Sequence, residues 1–168
     1  MPKIEGFIEN WEFEFKTTLK VISAIPEDKY DFKPHEKFFS AGRLAWHIVR
    51  IEDIFGRGIL GDKIIVGGAQ PMEPPATVAG IIEVAQREHP QVVAGWRTLD
   101  EAQLREKIPF VRKDGQVWME LPRMVYLRTS MMAHAIHHRG QLALMLRLMG
   151  AKVPAIYGPS GDEPIGAR

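Results

Sequence analysis

Two histidines four residues apart, His134 and His138, lie inside the run MMAHAIHHRGQ from Met131 to Gln141. On a helix turning about 100° per residue they stand one above the other on a single face. That face also carries Leu127, Met131, Gln141 and Met145, so the imidazoles point into an apolar stripe rather than toward water. Buried imidazoles need partners, because an unsatisfied polar group in a core costs free energy. One divalent ion satisfies both, and a third nitrogen donor is available far upstream at His47, in another helix-like run. A fold that uses all three must turn these helical faces toward one another.

The length of 168 residues and an apolar share of 45% fit one domain spanning 1–168 with an ample core. The 22 basic and 21 acidic residues leave a net charge of +1 and form no block of like sign, which argues against nucleic acid and anionic membrane as partners. With no cysteine, disulfides, thiolate ligands and a cysteine nucleophile are excluded, and any ligation falls to the histidines. The N-terminal MPKIEGFIENWEFEF carries four glutamates and no apolar core region, so neither a signal peptide nor a membrane span is expected and the location expected is cytoplasmic.

Ile4, Phe7, Ile8, Trp11, Phe15, Leu19 and Ile22 recur at spacings of three and four, predicting a first helix that ends near Pro26. Glu12 and Glu14 fall off this stripe and read as a solvated face. His35 sits beside Pro34 in a charged connection and reads as an exposed loop residue. Ser40 is the expected N-cap of a second helix, whose stripe is Leu44, His47, Ile48, Ile51 and Phe55 and which stops near Gly61. Glu52 and Asp53 project more than about 90° from His47, so neither is an obvious general base.

Residues 61–76 form a glycine- and proline-rich connection, and Thr77 then caps a third helix carrying Val78, Ile82, Ala85, His89, Val92, Trp96 and Leu99 to about Asp100. Pro90 should kink or divide that helix. His89 either lines the metal pocket through the kink or is a capped or partly exposed histidine near it. Between Arg105 and Glu120 the helical rhythm fails, and Asp114-Gly115 marks a tight turn between two short extended pieces. The fourth helix runs from about Pro122 to Gly150, followed by an irregular tail. The expected fold is all-α, a four-helix bundle with a short irregular or hairpin excursion before the last helix.

Around the histidine pair, His137 projects roughly 60° from His134 and stays outside the ligand set, supporting a ligand from behind, contacting substrate or lying in an interface. Arg139 points away from the metal face, toward the surface or a dimer contact. Gln141 either orients a ligand or water, or is a buried structural amide. Tyr157, Ser160 and Asp162 either close the site from the tail or form a packed C-terminal turn.

The SAGRLAWHI helix start after a DKYDFKP loop, with HAIHHRGQLALMLRLMGAKVPAIYGPSGDE downstream, resembles the DinB branch of the DinB/YfiT-like superfamily over essentially the whole chain. The resemblance implies a four-helix bundle, often a homodimer, holding a divalent metal on three histidines. By motif position these are His47, His134 and His138, the trio that helical geometry also reaches.

Three neutral imidazoles leave coordination positions open. A metal held so can activate water toward a pKa of ~7 or bind a thiol as thiolate. No carboxylate shares the His47 or His134 faces, which favours thiol activation over hydrolysis. The resemblance points the same way, since some members look like S-transferases acting on low-molecular-weight thiols and others are only called metal-dependent hydrolases. The leading expectation is an enzyme acting on small molecules, S-transferase-like or hydrolase-like, loaded with Zn or Ni. The alternative is a non-catalytic, stress-associated metal or ligand binder with the same bundle. A third, structural reading leaves the histidines as core polar groups without stoichiometric metal.

Overall fold

The computed structural model describes residues 3–65 and 73–164, so part of the 61–76 connection lies outside the described residues. Helix α1 spans Lys3–Ser23 and α2 spans Ala41–Ile51. Without a break α2 becomes a π-helical segment at Glu52–Arg57 and a 3-10 turn at Gly58–Leu60. Strand β1 (Ile64–Ile65), α3 (Val78–Trp96), the short α4 (Glu101–Arg105), β2 (Lys107–Val111) and β3 (Val117–Pro122) follow. The last helical stretch begins as α5 (Arg123–Val125), widens into a π-helical segment at Tyr126–Ala133, and ends as α6 (His134–Leu148).

The expected caps are present: the Ser40 hydroxyl accepts from the Arg43 amide at 3.3 Å and that of Thr77 from the Gly80 amide at 3.1 Å. Pro90 does not divide α3, which runs through it to Trp96. Its ring and the residue whose carbonyl it leaves without a donor, Gln86, both face solvent, where the lost bond matters least. Beyond Trp96 the third helix does not extend to Asp100. Instead Asp100 opens α4 with a capping box, its carboxylate accepting from the Gln103 amide at 2.8 Å while the Gln103 side chain accepts from the Asp100 amide at 2.9 Å.

The molecule is mostly helical, but it is not all-α. A three-stranded sheet of order β1-β2-β3 pairs β1 with β2 in parallel and β2 with β3 antiparallel. The hairpin turns at Asp114-Gly115, where Gly115 has a φ of +84° that favours glycine. Strand β1, two residues long, is too short to leave a periodic trace in the sequence. Arg123 holds this region to the end of the second helical stretch, donating to the carbonyls of Ile59 at 2.8 Å and Gly61 at 3.0 Å and pairing with Glu106 at 2.5 Å.

Helix α2 packs against α6, and α1 packs against both α3 and α6, closing a core that includes Ile8, Trp11, Ile22, Ile51, Trp96, Leu127 and Leu142. Deep in it, Glu52 accepts from the Trp11 indole at 2.7 Å and meets His89 Nδ1 at 2.7 Å, joining three helices through one carboxylate. The tail folds as a packed C-terminal turn, with Asp162 on Arg147 at 2.6 Å and Glu163 on Lys20 at 2.6 Å. Among the described residues no helix is long and apolar enough to cross a membrane.

Gly56 marks where the first π segment meets α3. The Trp96 indole donates to its carbonyl at 2.7 Å, and an added Cβ would stand 2.8 Å from the Trp96 ring and 3.0 Å from the Met131 sulfur. Gly56→Ala should therefore destabilise the protein by about 1–2 kcal/mol despite the helix propensity gained. Gly140→Ala in α6, where a Cβ meets nothing within 4 Å, should stabilise it by about 0.5–1 kcal/mol. Urea unfolding of the pair gives both signs.

Candidate metal centre

His47 projects from α2 toward α6, which presents His134 in its first turn and His138 one turn later. The three half-buried rings converge, with centroids 5.3 Å apart for His47 and His134, 4.6 Å for His47 and His138, and 4.7 Å for His134 and His138. One ligand atom from each lies within 4.8 Å of the other two, and among the described residues this is the group that could hold a metal ion.

Hydrogen bonding fixes which nitrogens face inward. His134 Nδ1 lies 3.2 Å from the Ser130 carbonyl and His138 Nδ1 lies 2.7 Å from the Gln141 amide oxygen. Both partners accept, so in each neutral ring the proton sits on Nδ1 and Nε2 carries the lone pair. The two Nε2 atoms nevertheless stand 2.9 Å apart. Two lone pairs at that distance repel, and a shared cation is the species that turns the repulsion into attraction. The donor set therefore fits a divalent ion that accepts imidazole nitrogen.

Electrostatics keeps these rings unprotonated. Burial first, and then the neighbouring His138, His134 and Arg43, push the His47 pKa down from its ordinary value to about 4. Burial also lowers His134 and His138, opposed only in part by the Ser130 carbonyl and the Gln141 amide respectively. Phe39 flanks His47 at 5.7 Å between ring centroids and Phe55 flanks His134 at 6.4 Å, narrowing the access of water.

Gln141 bonds His138 with its oxygen and contacts His137 Nε2 with its nitrogen at 3.1 Å, so exposed His137 touches the cluster through that amide and lies outside the convergent group. His89 does not line the pocket. It is buried between α1 and the first π segment, bonded to Glu52, stacked on Phe15 with 3.7 Å between centroids, and 3.3 Å from the Glu12 carboxylate. Glu12 stands off the hydrogen-bonding direction of His89 Nε2, so the contact is an ion pair rather than a hydrogen bond. Neither kink nor cap accounts for this residue, because a carboxylate from another helix supplies its partner.

Tyr157 does not close the site either. Its hydroxyl lies on Glu14 at 2.8 Å and on Arg139 at 2.5 Å, an anchor for the tail on the other side of α6. Arg139 does point away from the histidines, but it is not a surface residue: it is 1% exposed and pairs with Glu14 at 2.7 Å. Glu14 is correspondingly no solvated carboxylate. A buried guanidinium needs a charged partner, and α1 supplies it. Glu52 and Asp53 are likewise engaged elsewhere, Asp53 with Arg50 at 2.5 Å and Arg57 at 2.8 Å. Ser130 is a participant that side-chain patterns miss, since it acts through its carbonyl; its place four residues before His134 was the available signal.

The profile of the DinB family matches residues 1–165 of this chain. The chain belongs to the DinB family. It is 26% identical over 161 residues to the uncharacterized protein YrdA of Bacillus subtilis strain 168, covering 95% of this chain and 91% of YrdA. A DinB-like protein of Bacillus cereus ATCC 10987 superposes with a TM-score of 0.74 at 24% identity, covering 91% of this chain and 97% of that one. A DinB-like protein of Bacillus subtilis, YjoA, superposes with a TM-score of 0.70 at 24% identity, covering 90% and 96%. These two crystal structures show a shared DinB-like fold.

The depressed pKa of His47 has a consequence for the stability of this DinB protein without metal. Between the unfolded value of about 6.5 and the folded value of about 4, the unfolded chain binds the extra proton, so stability falls as pH drops through that window. His89 acts in the opposite sense: burial lowers its pKa, but Glu52 and then Glu12 outweigh this and raise it. Its contribution is complete below the unfolded value and is lost as pH rises through the raised one. Urea unfolding of chelator-treated protein across pH should show the acid-side slope shrink in His47→Gln and the alkaline-side loss shrink in His89→Gln.

Proposed function

We propose that this DinB protein is a divalent-metal-dependent enzyme acting on small molecules, with His47, His134 and His138 as ligands and thiol S-transfer ahead of hydrolysis. The observation that carries the reading is the convergence of three half-buried imidazoles, with the Nε2 atoms of His134 and His138 2.9 Å apart and a hydrogen-bond acceptor at the Nδ1 of each. Imidazole donors of this kind favour Zn or Ni. A divalent ion bound there supplies Lewis acidity, lowering the pKa of a thiol or water that it binds.

The chain's own residues supply orientation. Ser130 and Gln141 hold the rings of His134 and His138 in one tautomer, as outer partners of ligating histidines commonly do. His47 stays neutral because burial, and then the neighbouring His138, His134 and Arg43, disfavour its charged form. The four long helical stretches, in this reading, form a bundle whose interior presents the ligands. Hydrolysis gains from a carboxylate base beside the nucleophile. Among the described residues the convergent group contains only histidines, and Glu52 and Asp53 are committed to other partners, which favours the reaction that needs no such base.

Metal content by plasma mass spectrometry on tag-free protein should give about one ion per chain, lost in His47→Ala and His138→Ala. Gln141→Ala should keep the ion but weaken its affinity about 10–100-fold. A metal-free parent that stays folded and refuses Zn and Ni would overturn the reading. Transfer of a low-molecular-weight thiol to an electrophile, abolished by His134→Ala, supports the transferase; ester turnover without thiol transfer makes it a hydrolase; tight binding without turnover of either makes it a binder.

A further inference from the structure

Both histidine-bearing helices leave α geometry beside the site, the one just after His47 and the other just before His134. The two π-helical segments pack against each other. Such turns are rare and occur frequently at functional sites, where the extra residue per turn widens the helix and displaces its side chains. Beside them lies a cavity of about 470 Å³, within the range of about 300–1,000 Å³ usual for small-molecule sites. Ile54 and Phe55 line it from the first π segment, and Thr129 and Ser130 from the second, with His134 in its wall.

The β-hairpin closes the outer side. Phe110 pairs with Met119 and Val111 with Val117, which leaves Trp118 as the extra residue of a β-bulge. Regular alternation would send Trp118 and Met119 to opposite faces; a bulge re-aims a side chain, and here both line the cavity. Trp118 stacks on Phe110 with centroids 5.6 Å apart and planes 19° from parallel, while Phe110 meets Phe55 at 5.4 Å. The Tyr126 hydroxyl donates to the Ile108 carbonyl at 3.1 Å and fixes the hairpin on the second π segment. Trp118 remains 64% exposed, so its ring is an open shelf rather than part of the core.

Among the described residues, no acidic or basic side chain lines this cavity apart from His134. A separate recess of about 180 Å³ on the His138 side offers Lys37 and Gln141 with Phe38 and Phe39, so a charged reactant has another place to bind. We infer that the larger cavity is the pocket for an uncharged, ring-bearing apolar substrate, whose reacting end it turns toward the three histidines. This inference rests on the metal-dependent reading above for the reaction, but the apolar pocket can be tested without metal.

Two arms of calorimetry separate them. In metal-free protein the uncharged probe 2-naphthalenemethanol should bind. Thr129→Trp, which fills the cavity from an exposed position, should weaken it at least tenfold, and Trp118→Ala several-fold, with circular dichroism confirming folded variants. In Zn-loaded protein 2-naphthohydroxamate should bind at least tenfold more tightly than acetohydroxamate, and Thr129→Trp should erase that advantage. If neither hydroxamate gains from zinc, the metal reading fails and the uncharged probe alone decides the pocket. Equal affinity of the two hydroxamates for Zn-loaded protein, or naphthalene binding indifferent to both substitutions, overturns the inference. So does a Trp118→Ala effect confined to the sedimentation coefficient, which would make the shelf a contact between copies of the chain.

Discussion

A single buried carboxylate sets the frame on which the candidate site depends. Glu52 is 7% exposed and sits at the first residue beyond α2, where it binds the Trp11 indole of α1 and the His89 imidazole of α3. A buried carboxylate is stable only when its lone pairs are satisfied, and the two donors come from two different helices. That requirement ties the end of α2 to both α1 and α3. With one side of α2 so committed, the face bearing His47 is left to meet α6. Phe15 stacked on His89 and Glu12 beside it complete the surroundings of a histidine whose charged form the carboxylates favour.

The site and the frame have opposite electrostatics. Around His89 two carboxylates favour positive charge; around His47, His134 and His138 there is no carboxylate in the convergent group, and burial first, with Arg43 adding to it at His47, disfavours the charged rings. Neutral rings aimed at one another are poor structural elements and good ligands. A proton would bridge only one pair of these nitrogens, whereas a metal ion could engage all three.

Departures from regular secondary structure shape what surrounds those histidines. The π segments after His47 and before His134 and the bulge at Trp118 each shift side chains out of their expected periodicity. Gly56 admits the close contact with Trp96 and Met131 that brings the first π segment against α3 and the second. On the far side of α6, Arg139, Glu14 and Tyr157 tie the tail to α1, which keeps it engaged away from the histidines.

The sequence by itself determined the helices, their caps at Ser40 and Thr77 and the inward placement of His47, His134 and His138, because these rest on local spacing and on backbone groups a few residues away. It also delimited the hairpin, through Asp114-Gly115. Tertiary structure decided the rest. Helical projection puts Glu14 and Arg139 toward solvent and leaves the partner of the correctly buried His89 open, because buried charge is set by partners more than 30 residues distant, which periodicity does not encode. Strand β1 needed β2 to exist at all. The π turns and the bulge left no periodic signal, since each is a local loss of period that only the packing of neighbouring elements stabilises, and they are what place an apolar cavity beside the three-histidine group.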